Sequence, residues 1–269
     1  MAKWRLLLTT LPYVAIALLA KLVIAPALGF SGLLNFSEIG MVLTGGVFLV
    51  GFMLSGTLAD YKEAERLPGE LASMLEAIEE LFVQASLGRA ELKVADGRRA
   101  VATVGTAIWE WLHRRLGHHE LYVALEQFGD RILDLERAGA SPHATRGLRE
   151  LHNLRRTLTR VGVISRTSFV AAGYALLEAL TAAILLMTLL SKFNNVATEA
   201  VLTGFITLVF LYMVRLIRDL DDPFEYGPPA RSPTDASQSK KLTSDGPTGS
   251  VEVELFPLAE YLDRLRARL

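Results

Sequence analysis

The chain has 269 residues, of which 51% are hydrophobic and 8% aromatic; none is cysteine, and the formal net charge is −1. This charge gives no electrostatic case for nucleic-acid binding, and the lack of cysteine excludes disulfides and thiolate chemistry. The apolar residues cluster along the chain, and this clustering determines the class of protein.

Four long stretches contain almost no charge, and each is near the roughly 20 residues that a helix needs to cross the hydrocarbon layer. They are Leu6–Phe30, Ile39–Leu58, Ser168–Leu190 and Val196–Val214. A soluble protein with buried helices is the alternative, but its helices would show a polar face that these stretches lack. The first stretch is also longer than the apolar region of a cleaved signal peptide. We therefore predict a multi-pass protein with four transmembrane helices.

Basic residues between the apolar stretches predict the orientation. Lys3 and Arg5 precede the first stretch, and the segment 59–167 holds most of the Lys and Arg residues. Arg215 and Arg218 follow the fourth stretch. The positive-inside rule then places both termini and the segment 59–167 in the cytoplasm, for a protein of the plasma (inner) membrane.

These boundaries divide the chain into four segments. We predict transmembrane helices 1 and 2 in 1–58, a cytosolic helical bundle in 59–167, transmembrane helices 3 and 4 in 168–218, and a cytosolic C-terminal segment in 219–269. Residues 228–250 are rich in Pro, Ser, Thr and Gly, which predicts a flexible linker, and a terminal helix follows it.

Apolar residues at helical spacing predict the elements of the bundle. The second transmembrane helix is expected to continue to Leu87, with a bend or a loosened turn at Pro68. Further helices are expected over Val94–Leu116, with Trp111 on the buried face, and over Glu120–Ala138. A last helix is expected to begin at Ser141-Pro142, with the serine as its cap.

Two separated stretches resemble the bestrophin family of pentameric anion channels. The first, "YKEAERLPGEL", follows the second apolar stretch, and the second, "LDDPFEYG", follows the fourth. The residues that carry the resemblance are Tyr61, Glu63, Ala64, Leu67, Gly69, Asp222, Pro223 and Phe224. The sequence departs from the family at Glu65, Pro68 and Glu225. The resemblance implies an all-α integral membrane protein with four transmembrane helices and a cytosolic helical bundle, assembled as a bestrophin-like homopentamer.

The resemblance also implies a pore neck on the second transmembrane helix. Counting back from Gly69 places the family's three neck residues at Thr44, Phe48 and Phe52. The spacing i, i+4, i+8 independently places these side chains on one stripe of a helix. In a ring of five helices, phenylalanine collars would exclude bulk water or gate by dewetting. A second constriction is placed loosely at Val163 and Ile164, because the family's proline pair is missing there.

The same stripe has a simpler interpretation. Phenylalanine at every fourth residue of a transmembrane helix also fits a face that contacts lipid or packs within one subunit. Gly45, Gly46, Gly51 and Ser55 are small residues of the kind that allow close helix contact or a flexible gate.

Lys21 and Glu178 are ionisable residues inside predicted transmembrane helices, where charge is costly unless it is paired, snorkelled or hydrated. Lys21 is expected to snorkel or to pair with Glu178, and Glu178 to pair in this way or to face a hydrated vestibule. A negative charge in an anion pathway counts against the simplest channel hypothesis.

We predict no metal site and no cofactor. The histidines His113, His118, His119, His143 and His152 lack the spacing of a zinc-binding helix. Asp219, Asp221 and Asp222 are interpreted as a charge cluster at a helix end, and no calcium clasp is expected. No catalytic or nucleotide-binding motif is present, so we do not expect an enzyme.

The sequence thus predicts a bestrophin-like channel that self-associates as a homopentamer in the lipid bilayer. It is expected to pass small inorganic ions, with chloride as the ion that the resemblance implies. The alternative is a non-conducting membrane scaffold or sensor protein whose cytosolic bundle binds a partner.

Overall fold

Helices account for nearly all of the chain that this computed structural model describes. The described residues are 2–24, 27, 29, 34–89, 91–166, 171–192, 195–221, 223–224 and 252–269. The linker predicted at 228–250 and the motif residue Asp222 lie outside them.

The helices are α1 (Ala2–Leu19, continued by a π-helical turn Ala20–Ile24), α2 (Phe36–Ser86), α3 (Val94–Leu112), α4 (His118–Arg137), α5 (Ser141–Ile164), α6 (Ala171–Leu190), α7 (Val196–Asp221) and α8 (Phe256–Arg266). Two short strands, β1 (Leu34–Asn35) and β2 (Ser191–Lys192), pair in parallel. The chain divides into two units, one within 1–61 and 168–223 and the other within 62–167, 224–248 and 252–269.

The first unit contains the apolar helices. Within the described part of the chain, four helices are long and apolar enough to cross a membrane: α1, the first part of α2, α6 and α7. Helix α7 packs against both α1 and α6. Most side chains of the apolar windows are not buried inside the chain, as expected for helices that meet lipid or other subunits. The predicted all-α integral membrane protein with four transmembrane helices is confirmed.

The second unit is a helical bundle. Helix α4 packs against α3 and α5, and α8 packs against α3. Fully buried side chains such as Leu75, Ile108, Leu125 and Leu158 form its centre. Helices α3, α4 and α5 bury one stripe each and leave the opposite stripe polar, the pattern of an amphipathic helix in a globular core.

Three local predictions are corrected by the structure. Helix α3 ends at Leu112 rather than Leu116, because the N–H groups of Arg115 and Leu116 both turn back to the carbonyl of Glu110. Trp109 is the buried tryptophan of this helix, whereas Trp111 is half-buried.

Helix α5 starts at Ser141, but Ala140 is the N-cap residue and no side chain caps the helix. The predicted serine cap is therefore wrong, although the first-turn proline is present. Helix α2 continues through Pro68 as one element, so the passage from the apolar stretch into the charged one is made without a break.

Candidate pore-lining surface

The apolar part of α2 has one buried face and one exposed face. Ile39, Val50 and Met53 are buried, while Phe48 and Phe52 are 77% and 62% exposed. With about 100° of rotation per residue, Phe48 lies roughly 140° to 180° around the helix from the three buried positions. The first unit therefore uses one side of α2 for its own packing and leaves the other side exposed, as far as the described residues go.

The buried face belongs to a core shared by α2, α6 and α7. Val50, Met53, Leu177, Ile184, Ile206, Phe210 and Ile217 form this cluster. Gly46 allows the close approach, since a Cβ atom built there would clash with the side chains of Ile184 and Phe210. Gly46 thus serves helix packing within one chain. Gly45 and Gly51 are exposed and have open space around them.

The three predicted neck residues lie together on the exposed face. Thr44 is exposed, and its hydroxyl donates a hydrogen bond to the carbonyl of Gly40 over 2.8 Å. Phe48 and Phe52 follow at one-turn intervals. Ser55, another small exposed residue, lies on the same side.

The loosely placed second constriction falls at the C-terminal end of α5. Val163 is 41% exposed there, whereas Ile164 is 6% exposed and packs inside the second unit. Val163 is therefore the member of this pair that could face a passage or another subunit.

The motif residues after the neck serve packing and pairing in the second unit. Ala64 and Leu67 are buried. Glu63 accepts two hydrogen bonds from Arg160, at 2.6 Å from Nε and 2.5 Å from Nη2, so the two form a bidentate ion pair between α2 and α5. Tyr61, at the boundary of the first unit, is half-buried.

The other motif positions differ in their surroundings. Gly69 has open space where a Cβ atom would stand, so nothing within the single chain requires a glycine there. Pro223 is buried in the first unit, and Phe224, 3% exposed, is buried in the second.

Lys21 is fully buried at one end of the first unit. Its Nζ lies 2.9 Å from a carboxylate oxygen of Glu199 and donates to the carbonyls of Leu189, at 2.9 Å, and Ser191. The expected snorkelling is therefore wrong, because the ammonium group stays inside the protein and binds carbonyls at the C-terminal end of α6, where a cation is favourable.

Glu178 has a different partner from the one predicted. It pairs with Arg218 of α7, and both side chains are about half exposed or more. The predicted Lys21–Glu178 pair is wrong because Lys21 contacts α6 at Leu189, which is eleven residues, or about 16 Å, along the helix from Glu178. Glu178 is exposed in the single chain, and its position facing a hydrated vestibule stays a prediction.

The described residues contain no group of three His, Asp or Glu side chains placed to hold a metal ion. His113 is half-buried, and its Nδ1 lies 2.8 Å from the carbonyl of Trp109. Since a carbonyl only accepts, Nδ1 carries the proton, and burial lowers the pKa of this histidine. His113 thus packs in the second unit, where burial disfavours its charged form.

Sequence reasoning missed two carboxylates that hold ion pairs, the half-buried Glu199 and the buried Glu79. Glu199 stands in the first turn of α7, inside a stretch interpreted as nearly uncharged. Glu79 is 2% exposed in the second unit. The sequence could have indicated the burial of Glu79, because this residue lies one helical turn from Leu75 and from Phe82, both on the buried stripe of α2.

The chain matches no protein-family model. It also matches no curated protein sequence. Solved structures do match it over nearly their full length. A mutant form of a bacterial bestrophin homologue from Klebsiella pneumoniae is similar with a TM-score of 0.68 and 17% identity, covering 97% of both chains.

Another structure of the Klebsiella pneumoniae homologue gives a TM-score of 0.67 at 17% identity, covering 97% of this chain and 95% of that one. A structure described only as a membrane protein gives 0.65 at 17% identity, covering 98% and 96%. At this identity the likeness concerns the fold, and it confirms at that level the resemblance found in the sequence. The chain is a multi-pass membrane protein with the fold of the bacterial bestrophin homologues.

Proposed function

We propose that this protein is an ion channel that assembles as a homopentamer and conducts chloride or other small anions, rather than an enzyme. Thr44, Phe48 and Phe52 form its neck in this proposal. The observation that carries it is the exposed stripe of α2, which packs against no other described part of the chain although the opposite stripe is tightly packed. The fold shared with bestrophin homologues supports it.

The dimensions of a five-helix ring are compatible with ion passage. Packed helices lie about 8–10 Å apart, so five in a closed ring have their axes about 7–8.5 Å from the centre. Side chains extend about 5–6 Å from a helix axis, which leaves an opening of roughly 1–3.5 Å in radius. Phenylalanine collars make this opening narrower and apolar, so an ion passing them must shed much of its water.

The chemistry of the stripe favours anions to a limited degree. The edge of a phenylalanine ring carries partial positive charge and can face a dehydrated anion. The hydroxyl of Thr44 adds a polar collar one turn away. In this proposal the protein lies in the plasma (inner) membrane with both termini in the cytoplasm, as the distribution of Lys and Arg indicates.

Flux through liposomes containing the purified protein tests the proposal. We expect chloride flux from the native chain, and at least about threefold larger flux from Phe48→Ala and Phe52→Ala, because a wider collar with less apolar surface is easier to hydrate. Phe205→Ala is the matched control: Phe205 is a phenylalanine of α7 that is 63% exposed in the same unit.

The oligomer mass in detergent is measured on the same samples. A pentamer that conducts, with flux altered only by the two α2 variants, is the expected result. A monomer or dimer without flux in any variant would instead support a membrane scaffold. Flux that Phe48→Ala and Phe52→Ala leave unchanged would place the pore elsewhere.

A further inference from the structure

A cavity of about 420 Å³ opens in the second unit where α3, α4 and α5 meet. Its apolar wall is formed by Trp111, Leu112, Leu116, Val161 and Phe224. This volume lies within the range of small-molecule sites, which are mostly apolar and carry a few polar groups that orient the ligand.

The polar groups of the cavity are predominantly basic. Arg114, Arg166 and His118 line it, together with Ser165, and none of the lining residues that the structure describes is Asp or Glu. The Ser165 hydroxyl already donates to the carbonyl of Gly162, over 3.3 Å. The charged part of the wall is therefore suited to an anion.

The backbone has an uncommon conformation at this wall. Arg114 adopts a left-handed backbone with φ of 57°, the only non-glycine residue among the described ones to do so. Such a conformation is uncommon for a residue with a side chain and tends to persist at sites of function. It lies in the turn that ends α3 and leads to Gly117, the N-cap residue of α4.

His118 provides an independent indication of an occupant. Its ring lies between those of Trp111 and Tyr122, with centroids 6.0 and 4.8 Å away. Its Nδ1 is buried and has no hydrogen-bond partner in the described part of the chain. A buried polar atom without a partner requires an explanation, and a hydrogen-bonding ligand in the adjoining cavity supplies one.

One nearby acid limits the charge of the ligand. The carboxylate of Glu120 lies close enough to Gly117 that a Cβ atom on that glycine would clash with it. Glu120 is not a lining residue, but its charge at the rim would repel a multiply charged phosphate more than a single carboxylate.

We propose that this cavity binds a small organic monocarboxylate with an aromatic or branched apolar part. The carboxylate is held by Arg166 and Arg114, and the apolar part rests against Trp111 and Phe224. The proposal does not rest on the proposed function, because it is argued from the described lining residues, which belong to the second unit, and is tested by binding alone.

Titration of the purified full-length chain in detergent with 2-naphthoate tests the proposal, with heat of binding as the readout and empty micelles as the blank. We expect saturable binding of 2-naphthoate, and binding at least about tenfold weaker for acetate, which lacks the ring, and for 2-naphthylmethylamine, which reverses the charge.

Arg166→Gln and Arg114→Gln should each weaken 2-naphthoate binding by about ten- to a hundredfold, the value of one charge-assisted hydrogen bond. Glu120→Gln should tighten it, since a negative charge at the rim is removed. Arg149→Gln is the matched control, because Arg149 is an exposed arginine of α5 outside the cavity.

Four results would overturn the proposal. They are an absence of saturable 2-naphthoate binding, equal binding of the amine, equal binding of acetate, and an affinity that both cavity arginine variants leave unchanged. Because these measurements do not use flux, their failure is distinguishable from failure of the channel proposal.

Discussion

Replacing Glu79 with glutamine should destabilise the second unit strongly. The Glu79 carboxylate is almost fully buried and accepts hydrogen bonds from Arg98 Nε at 3.0 Å, Arg268 Nη2 at 3.0 Å and the Tyr261 hydroxyl at 3.2 Å. Tyr261 is fully buried, and burial raises the pKa of its phenol, so the hydroxyl stays a donor. One carboxylate therefore joins α2 to α3 and to the C-terminal end of the chain.

The size of the effect follows from these three bonds. A hydrogen bond to a charged group contributes about 1.5–3 kcal/mol. The hydrogen bonds from Arg98 and Tyr261 are shielded from solvent. Arg268 is 39% exposed, so its hydrogen bond contributes only about 0–1 kcal/mol to the free energy of unfolding. Glutamine keeps the volume and one acceptor but loses the charge. We expect a loss of about 3 kcal/mol, toward the lower end of the range for breaking a buried ion pair.

Thermal unfolding of the full-length chain in detergent, followed by tryptophan fluorescence, measures this loss. Two of the three tryptophans, Trp109 and Trp111, belong to the second unit, so most of the signal reports on it. A loss of about 3 kcal/mol corresponds to a fall in melting temperature of roughly 6–12 °C.

The neighbouring pair provides the matched control. Glu76 of α2 and Arg264 of α8 are 3.3 Å apart, but they are 42% and 56% exposed. Glu76→Gln should therefore cost no more than about 0.5 kcal/mol. Equal falls in melting temperature for Glu79→Gln and Glu76→Gln would refute the reasoning that burial makes the hydrogen bonds of Glu79 strongly stabilising.

Two further outcomes are expected. Lys21→Met should lower the melting temperature and the yield of folded protein, because it leaves the carboxylate of Glu199 and the carbonyl of Leu189 without their buried cation. The folded protein should lose stability as the pH falls below the ordinary histidine pKa of about 6.5, since burial lowers the pKa of His113 and the unfolded chain takes up its proton first. His113→Gln should reduce the fall in melting temperature that the native chain shows between pH 7.5 and pH 5.5.

Matched controls exist for both. Lys192→Met removes an exposed lysine next to Ser191, and a loss as large as that of Lys21→Met would contradict the role of burial. His152→Gln removes an exposed histidine of α5. If His152→Gln reduces the fall in melting temperature at acidic pH as much as His113→Gln does, the pH dependence does not come from His113.

Much of the fold could be predicted because it depends on local pattern. The apolar stretch from Ile39 and the helical spacing beyond Asp60 predicted one continuous element, and α2 is that element. Helix ends were harder, because they depend on individual hydrogen bonds. The end of α3 depends on the Glu110 carbonyl, which accepts from two N–H groups, and hydropathy does not encode this geometry.

Pairing of charges could not be predicted because it depends on depth along the helices. Lys21 and Glu178 were predicted to pair because both are ionisable residues within apolar stretches. Instead, Lys21 pairs with Glu199 and Glu178 pairs with Arg218, each at a different position along the helices. The stripe of Thr44, Phe48 and Phe52 was located through the family resemblance, and its spacing places the three side chains on one face of a helix. Its exposure required the structure, because exposure depends on which side of α2 meets α6 and α7.

The central claim is that Phe48 faces the ion pathway through the assembled protein. Since the native chain has no cysteine, Phe48→Cys introduces a single thiol, and Phe205→Cys places one at the control position. Anion flux is measured in liposomes before and after a charged, membrane-impermeant methanethiosulfonate reagent is added on both sides. The proposed neck predicts that the reagent strongly changes flux through Phe48→Cys and leaves Phe205→Cys unaffected. Unchanged flux through a fully modified Phe48→Cys channel would contradict it.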